Sequence, residues 1–136
     1  MKEKALDAAF RATIYRVETP GGVFELRIGL QNSVFDDYLR ERGVSCWGIV
    51  TAFNPQGIRS DDENTMRHQR LMDHLQACRQ QYFPACNLAD DKSWPAEPSF
   101  LLLQLNEVEV CNLASDFFQR ACVCGDVGSA PRLVWI

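Results

Sequence analysis

The sequence lacks the features that would place it in several large functional classes. It has no basic excess, because 14 Lys and Arg stand against 18 Asp and Glu, for a formal net charge of -4. An electrostatic footprint for nucleic acid is therefore missing. Its longest strongly apolar block, residues 100–105, is far shorter than the roughly 20 residues of a membrane helix. Asp7 interrupts any apolar run that a signal peptide would need. We expect a cytoplasmic protein that binds neither nucleic acid nor a membrane.

Motifs of well-known chemistry are also missing. Residues 54–57 contain one Gly and no following Lys-Ser/Thr, so they are not a phosphate loop, and no G-x-S-x-G nucleophile elbow occurs. The six Cys include no C-x-x-C pair. Cys122 and Cys124 would share one face of a strand, and His74 and Cys78 one face of a helix, as two metal ligands could. Because the remaining Cys are scattered, we expect reduced thiols of the core and no metal or other cofactor.

The length and the apolar content indicate a single α+β domain over residues 1–136. A chain of 136 residues with 46% hydrophobic side chains suits one core. Residues 1–44 are predicted to form an extension with a helix over 2–9, a β-hairpin turning at Thr19-Pro20-Gly21-Gly22, and a helix over 34–42 capped by Asn32 or Ser33.

Residues 45–136 are predicted to form the core of the domain. Strands are expected over 45–53, 82–88, 99–105, 121–124 and 132–136, and helices over 60–80 and 107–120. Pro84 favours an edge position or a bulge for the second of these strands. The order strand, helix, strand, strand, helix, strand is typical of a ferredoxin-like split β-α-β fold. The alternative is another α+β sheet with all helices on one face.

Four segments of this core resemble a known bacterial family. They are residues 49–55 (IVTAFNP), 60–71 after the Ser60–Glu63 capping box, 93–100 (SWPAEPSF) and 131–135 (PRLVW). Together they resemble the domain of unknown function 3293, over about residues 45–136. The resemblance implies a small bacterial protein, and it brings no assigned activity. The residues of this chain that match the family pattern are Thr51, Asn54, Asn64, Trp94, Glu97 and Ser99.

The same six residues are the predicted ligand-binding set. Thr51 and Asn54 end a central strand where the next helix begins, and such junctions form crevices in open α/β arrangements. Asn64 and His68 lie four apart, on the inward side of that helix. If the 89–98 loop folds over the crevice, it supplies an aromatic wall and a carboxylate. The scaffold interpretation, in which these residues cap and anchor loops, predicts the same positions.

Charge at the helix start favours some ligands over others. Asp61, Asp62 and Glu63 already use the helix dipole and would repel an anion. The expected partner is therefore a protein or a small neutral or cationic ligand. The favoured hypothesis is a non-catalytic binding or interaction module. The alternative is a small enzyme, a hydrolase, in which His68 and Glu97 form an acid/base pair.

Overall fold

A computed structural model of the chain describes residues 2–55 and 57–136. Helices and strands are mixed along the chain, as the α+β prediction requires. In chain order the elements are α1 (Lys2–Arg11), β1 (Thr13–Thr19), β2 (Gly22–Leu26), α2 (Ser33–Glu41), β3 (Cys46–Val50), α3 (Asp61–Ala77), β4 (Tyr82–Ala89), β5 (Glu97–Leu103), α4 (Glu107–Asp116), β6 (Ala121–Asp126) and β7 (Arg132–Trp135).

All seven strands form one sheet, in the order β2-β1-β4-β5-β3-β6-β7. Every neighbouring pair is antiparallel. The predicted N-terminal hairpin extends the sheet, because β1 pairs with β4 from Thr13↔Ala89 to Val17↔Ala85. The sheet therefore runs from the hairpin at one edge to β7 at the other, with β5 and β3 near its middle.

Helices cover both faces of this sheet. On one side, here called the α2 face, the core contains Phe35, Leu39, Trp47, Ile49 and Leu101. On the other side, the α3 face, it contains Leu71, Leu75, Phe100, Leu102 and Val110. Side chains alternate along β5, so that neighbouring residues of one strand reach opposite cores. The alternative with all helices on one face is wrong, because α2 packs on one face and α3 and α4 pack on the other. Cover on both sides suits the nearly uncharged central strands.

The helix starts follow from local capping chemistry. The side chain of Asn32 accepts a hydrogen bond from the Phe35 N–H and begins α2. Asn106 begins α4 with a complete capping box. At the start of α3, the Ser60 hydroxyl accepts from the Glu63 N–H, while the Glu63 carboxylate is paired with an arginine one turn further on.

Glycine on β3 allows α4 to approach the sheet closely. A Cβ built on Gly48 would lie 2.5 Å from Cγ2 of Val110, which is fully buried on α4. Since real Cβ atoms do not come that close, the contact requires glycine at this strand position.

Three expectations about individual residues are wrong. Pro84 does not place its strand at an edge, because β4 lies between β1 and β5. The pairing of β4 with β1 ends at Val17↔Ala85, so that Pro84, the preceding residue of β4, has no partner on β1 and its missing N–H is not needed there. The apolar pattern of residues 107–120 predicts that Val108 and Phe118 are buried, but they are 68% and 56% exposed. The apolar face of α4 instead turns Val110, Leu113 and Ala114 inward.

The cysteines divide into two groups. Cys122 and Cys124 are buried in the same core on the α3 face, as their spacing predicts. Cys111 is partly exposed and packs against that core, whereas Cys46 and Cys86 are partly exposed and Cys78 is exposed, so that only half of the thiols match the expectation of core residues. As for the membrane, none of the helices within residues 2–55 and 57–136 combines the length and the apolarity needed to span a bilayer.

Candidate functional site

Two asparagines fasten the loop after β3 to the first turn of α3. Asn64 Oδ1 accepts a hydrogen bond from the Asn54 N–H at 2.8 Å, and Asn64 Nδ2 donates to Asn54 Oδ1 at 2.8 Å. The Arg59 N–H donates to the same Asn54 oxygen at 3.0 Å. Asn54 has a left-handed φ of 49°, which asparagine tolerates better than most residues. Asn64 is 4% exposed. Its amide therefore fixes the loop, and Asn54 is the member of the pair nearer to solvent.

A row of polar side chains crosses the same end of the sheet on the α2 face. Tyr15 of β1 lies opposite Asn87 of β4, and Asn87 lies opposite Glu97 of β5. We call these three residues the polar row. The Ser99 hydroxyl donates to Asn87 Oδ1 at 2.7 Å. The Thr51 hydroxyl donates to the carbonyl oxygen that precedes Ser99, at 2.8 Å. Four of the predicted residues, Thr51, Asn54, Glu97 and Ser99, thus lie around this row.

A small cavity adjoins the polar row beneath α1. It has a volume of about 30 Å³ and is lined by Phe10, Tyr15, Thr51, Asn87 and Gln119 among others. The Tyr15 hydroxyl donates to the Phe10 carbonyl at 3.3 Å. Such a volume holds about two water molecules. It is therefore a recess for a small chemical group and not for a whole drug-sized ligand.

Glu97 is the electrostatically unusual member of the row. Burial raises the pKa of its carboxyl, and a hydrogen bond from the Asn54 side chain opposes that rise. The pKa of Tyr15 is raised by burial, and the charge of Glu97 adds to this. None of the ion pairs within the described part of the chain includes Glu97. A partly buried carboxylate without a cation is costly, and a donor group from outside would relieve that cost.

His68 lies in a different environment. Its ring is stacked on Phe100, with centroids 4.5 Å apart, and meets Phe53 edge-on at 5.9 Å. Its Nδ1 is buried and has no hydrogen-bond partner among the described residues. Burial lowers the pKa of this imidazole. Because side chains alternate along β5, Phe100 and Glu97 point to opposite faces of the sheet. The structure therefore separates the two members of the acid/base pair expected from the sequence.

Trp94 stands apart from the other predicted residues. It is half-buried in the loop between β4 and β5. Across the described residues, no aromatic contact and no hydrogen bond joins its side chain to the polar row. The aromatic wall expected from the folded-over loop thus remains a prediction.

Two residues of the site were not anticipated from the sequence. Tyr15 and Asn87 each belong to a series of alternate strand positions whose other members are apolar. In β4, Asn87 follows Phe83 and Ala85 in this series. A polar residue in phase with a buried apolar series is the signal that would have identified Asn87. The same rule applies to Tyr15, which alternates with Val17.

Other features of the surface lie away from this site. His74 Nε2 and Cys78 Sγ are 3.6 Å apart on α3, as the helical spacing predicts. Within the part of the chain that the structure covers, no group of three or more His, Cys, Asp or Glu side chains is arranged to hold a metal ion. A wider, open depression of about 290 Å³ adjoins β2 and is lined by residues 25, 27 and 30–33, none of which is in the predicted set.

The fold and the site define an α+β protein in which one antiparallel sheet has a small recess of mixed polar and apolar lining at one end. The chain belongs to the family described as protein of unknown function DUF3293, whose model matches residues 50–122, just over half of its 136 residues. The resemblance seen in the sequence is thereby confirmed over that segment. All six residues of the predicted binding set lie inside it, and residues 131–135 lie outside it. Neither the curated proteins nor the solved structures contain a match to this chain.

Proposed function

We propose that this protein is a non-catalytic binding module that takes a neutral or cationic hydrogen-bond donor at Glu97. The donor belongs either to a small molecule or to a protein partner. The observation that supports this proposal is the partly buried Glu97 carboxylate, which has the Asn54 amide beside it and no ion-pair partner in the described chain. Perturbed carboxyl groups of this kind are concentrated at functional sites.

Charge and size restrict the group that binds. Glu97 disfavours an anion by direct repulsion, and the acidic first turn of α3, with Asp61, Asp62 and Glu63, acts in the same direction. The adjoining cavity of about 30 Å³ admits a group of few atoms. An amine or amide head group satisfies both restrictions, whether it is free or carried on a side chain of the partner.

Binding is favoured over acid/base catalysis by the position of His68. A general acid/base pair must meet within hydrogen-bonding reach, directly or through one water. His68 is stacked on Phe100, on the face opposite Glu97, and its Nδ1 makes no hydrogen bond within the described residues. We therefore favour binding over the hydrolase alternative, which requires His68 as the partner of Glu97.

The proposal is tested by titrating the isotopically labelled protein at pH 7 with three small probes of similar size. These are methylammonium, acetamide and acetate, and amide chemical shifts are recorded by NMR. We expect methylammonium and acetamide to shift the amides around Thr51, Asn87 and Glu97, and acetate to leave them unchanged. The Glu97→Gln variant should lose the methylammonium response. Equal shifts with acetate, no response to either donor, or a full response in the variant would each contradict the proposal.

The same variant separates a binding residue from a scaffold residue. Because burial raises the pKa of Glu97, the folded state binds a proton more tightly than the unfolded state does, and stability is lost as pH rises above about 4.3. We expect Glu97→Gln to raise the free energy of unfolding at pH 7, with the difference shrinking toward pH 4. Glu18→Gln, a change at an exposed position of β1, is the matched control. A loss of stability at pH 7 would assign Glu97 to the scaffold.

We also infer that residues 45–136 adopt a ferredoxin-like arrangement in a bacterial cytoplasmic protein. The support is the chain order β3, α3, β4, β5, α4, β6 together with the spatial order β4-β5-β3-β6. In this arrangement β5 separates the two strands that α3 connects. The cytoplasmic location is supported by six free cysteines, which suit a reducing compartment.

A further inference from the structure

Two thiols are in contact where α4 packs on β6, and a third lies on the same strand. Cys111 is on the helix and is partly exposed, whereas Cys122 and Cys124 are on the strand and are buried. The Sγ atoms of Cys111 and Cys122 are 3.8 Å apart. Cys124 lies two residues further along β6, on the same face of the strand as Cys122. The pair formed by Cys111 and Cys122 therefore reaches the surface at Cys111, and Cys124 lies deeper in the core.

This grouping differs from the surroundings of the remaining cysteines. Cys78 is exposed and its thiol contacts a histidine of its own helix. Cys46 and Cys86 are partly exposed, and no sulfur–sulfur contact within the described residues involves either of them. The proximity of thiols is thus a local property of the contact between α4 and β6.

We propose that Cys111 and Cys122 are a site of reversible oxidative modification, at which a disulfide bond ties α4 to β6. At 3.8 Å the two sulfur atoms are in van der Waals contact. A disulfide has a length of about 2.05 Å, so that the atoms must approach by a further distance of less than about 2 Å, within the range of side-chain rotation. Partial exposure of Cys111 gives a soluble oxidant access to one sulfur, and the second sulfur lies directly behind it.

The reaction is an exchange with a small-molecule disulfide, for which oxidised glutathione is the probe. The Cys111 thiolate attacks one sulfur of glutathione disulfide, and a first glutathione thiolate leaves. Cys122 then attacks the Cys111 sulfur and displaces the second glutathione. Two electrons pass from the two protein thiols to glutathione disulfide, and the two thiol protons are balanced by the two glutathione thiols formed.

The electrostatics of the thiols predict a slow, pH-dependent reaction. Burial raises the pKa of Cys111. The hydrogen bond to Cys124 and burial raise that of Cys122, whereas the hydrogen bond from Cys122 lowers that of Cys124. Because the thiolate is the attacking form, the rate of disulfide formation should increase as pH rises from 7 to 9.

Tryptic peptide mapping of the oxidised full chain tests the proposal. Cleavage after Lys92, Arg120 and Arg132 places Cys111 in peptide 93–120 and the other two thiols in peptide 121–132. We expect oxidation of the folded protein to link these two peptides, with a loss of about 2 Da relative to their summed masses, and dithiothreitol to separate them. A bond confined to peptide 121–132, or stable glutathione adducts without linkage, would overturn the proposal.

Variants identify the sulfur of β6 that reacts. Cys122→Ser should abolish the linked peptide, whereas Cys124→Ser and the control Cys46→Ser should retain it, each variant being checked by circular dichroism for folding. Oxidation of wild type in urea provides a second control, because the preference for the Cys111–Cys122 pair should disappear when the chain is unfolded. Linkage lost in Cys124→Ser but kept in Cys122→Ser, or equal preference in urea, would contradict the pairing.

Discussion

Replacing Asn64 by Ala should destabilise the protein more than the same change at an exposed position of a helix. The change removes the oxygen that accepts from the Asn54 N–H at 2.8 Å and the amide that donates to Asn54 Oδ1 at 2.8 Å. The orphaned N–H costs about 1–3 kcal/mol, and the second lost bond costs about 1 kcal/mol. The better helix propensity of Ala returns about 0.5 kcal/mol. We therefore expect the free energy of unfolding to fall by about 1.5–3.5 kcal/mol.

Urea denaturation followed by circular dichroism measures this change. A loss of about 1.5–3.5 kcal/mol moves the midpoint down by about 1–2 M for a small domain. The matched control is Asn112→Ala, the same substitution at an exposed position of α4, which should stay within about 0.5 kcal/mol of wild type. Asn64→Asp provides an intermediate case, since it retains the acceptor for the Asn54 N–H and loses the donor. The reasoning fails if Asn64→Ala and Asn112→Ala have equal stability.

Two further predictions concern the α3 face. Burial lowers the pKa of His68, so the folded protein favours the neutral imidazole. The contribution of this residue to the free energy of unfolding should be present above about pH 6.5 and lost as pH falls. His68→Leu should therefore flatten the decline in stability between pH 7 and pH 5. Equal slopes for wild type and this variant in urea titrations would disprove this. Gly48→Ala should cost about 1–3 kcal/mol through its clash with Val110. Adding Val110→Ala should reduce that cost in a double-mutant cycle, and an additive result would contradict the contact.

Much of the fold was predictable because it follows from short-range chemistry. Residues Asn32, Ser60 and Asn106 begin their helices by accepting backbone hydrogen bonds, as their positions in the sequence predict. The position of Pro84 was not predictable in the same way. Proline excludes a ladder bond only on the side of its missing N–H, and the register of β1, which decides whether that side is needed, is a long-range property.

The candidate site was predictable in its members and not in its geometry. The sequence places Thr51 and Asn54 at a strand end and predicts an inward Asn64, all of which follow from the positions of turns and caps. Whether Glu97 faces His68 depends on the phase of β5. A shift of one residue moves every side chain to the other face. Strand boundaries are uncertain by more than one residue when derived from sequence, so the pairing of these two side chains was not accessible.

Asn54 lies between the start of α3 and the polar row. Its Oδ1 accepts from Asn64 and from the Arg59 N–H, and its side chain lowers the pKa of Glu97 on β5, against the effect of burial. Since Oδ1 is acceptor-only, the amide nitrogen is the atom that acts on the carboxylate. A cation bound by Glu97 competes for the lone pairs that this amide uses. A ligand bound at the polar row should therefore change the environment of the start of α3 through the side chain of Asn54. The polar row and α3 lie on opposite faces of the sheet.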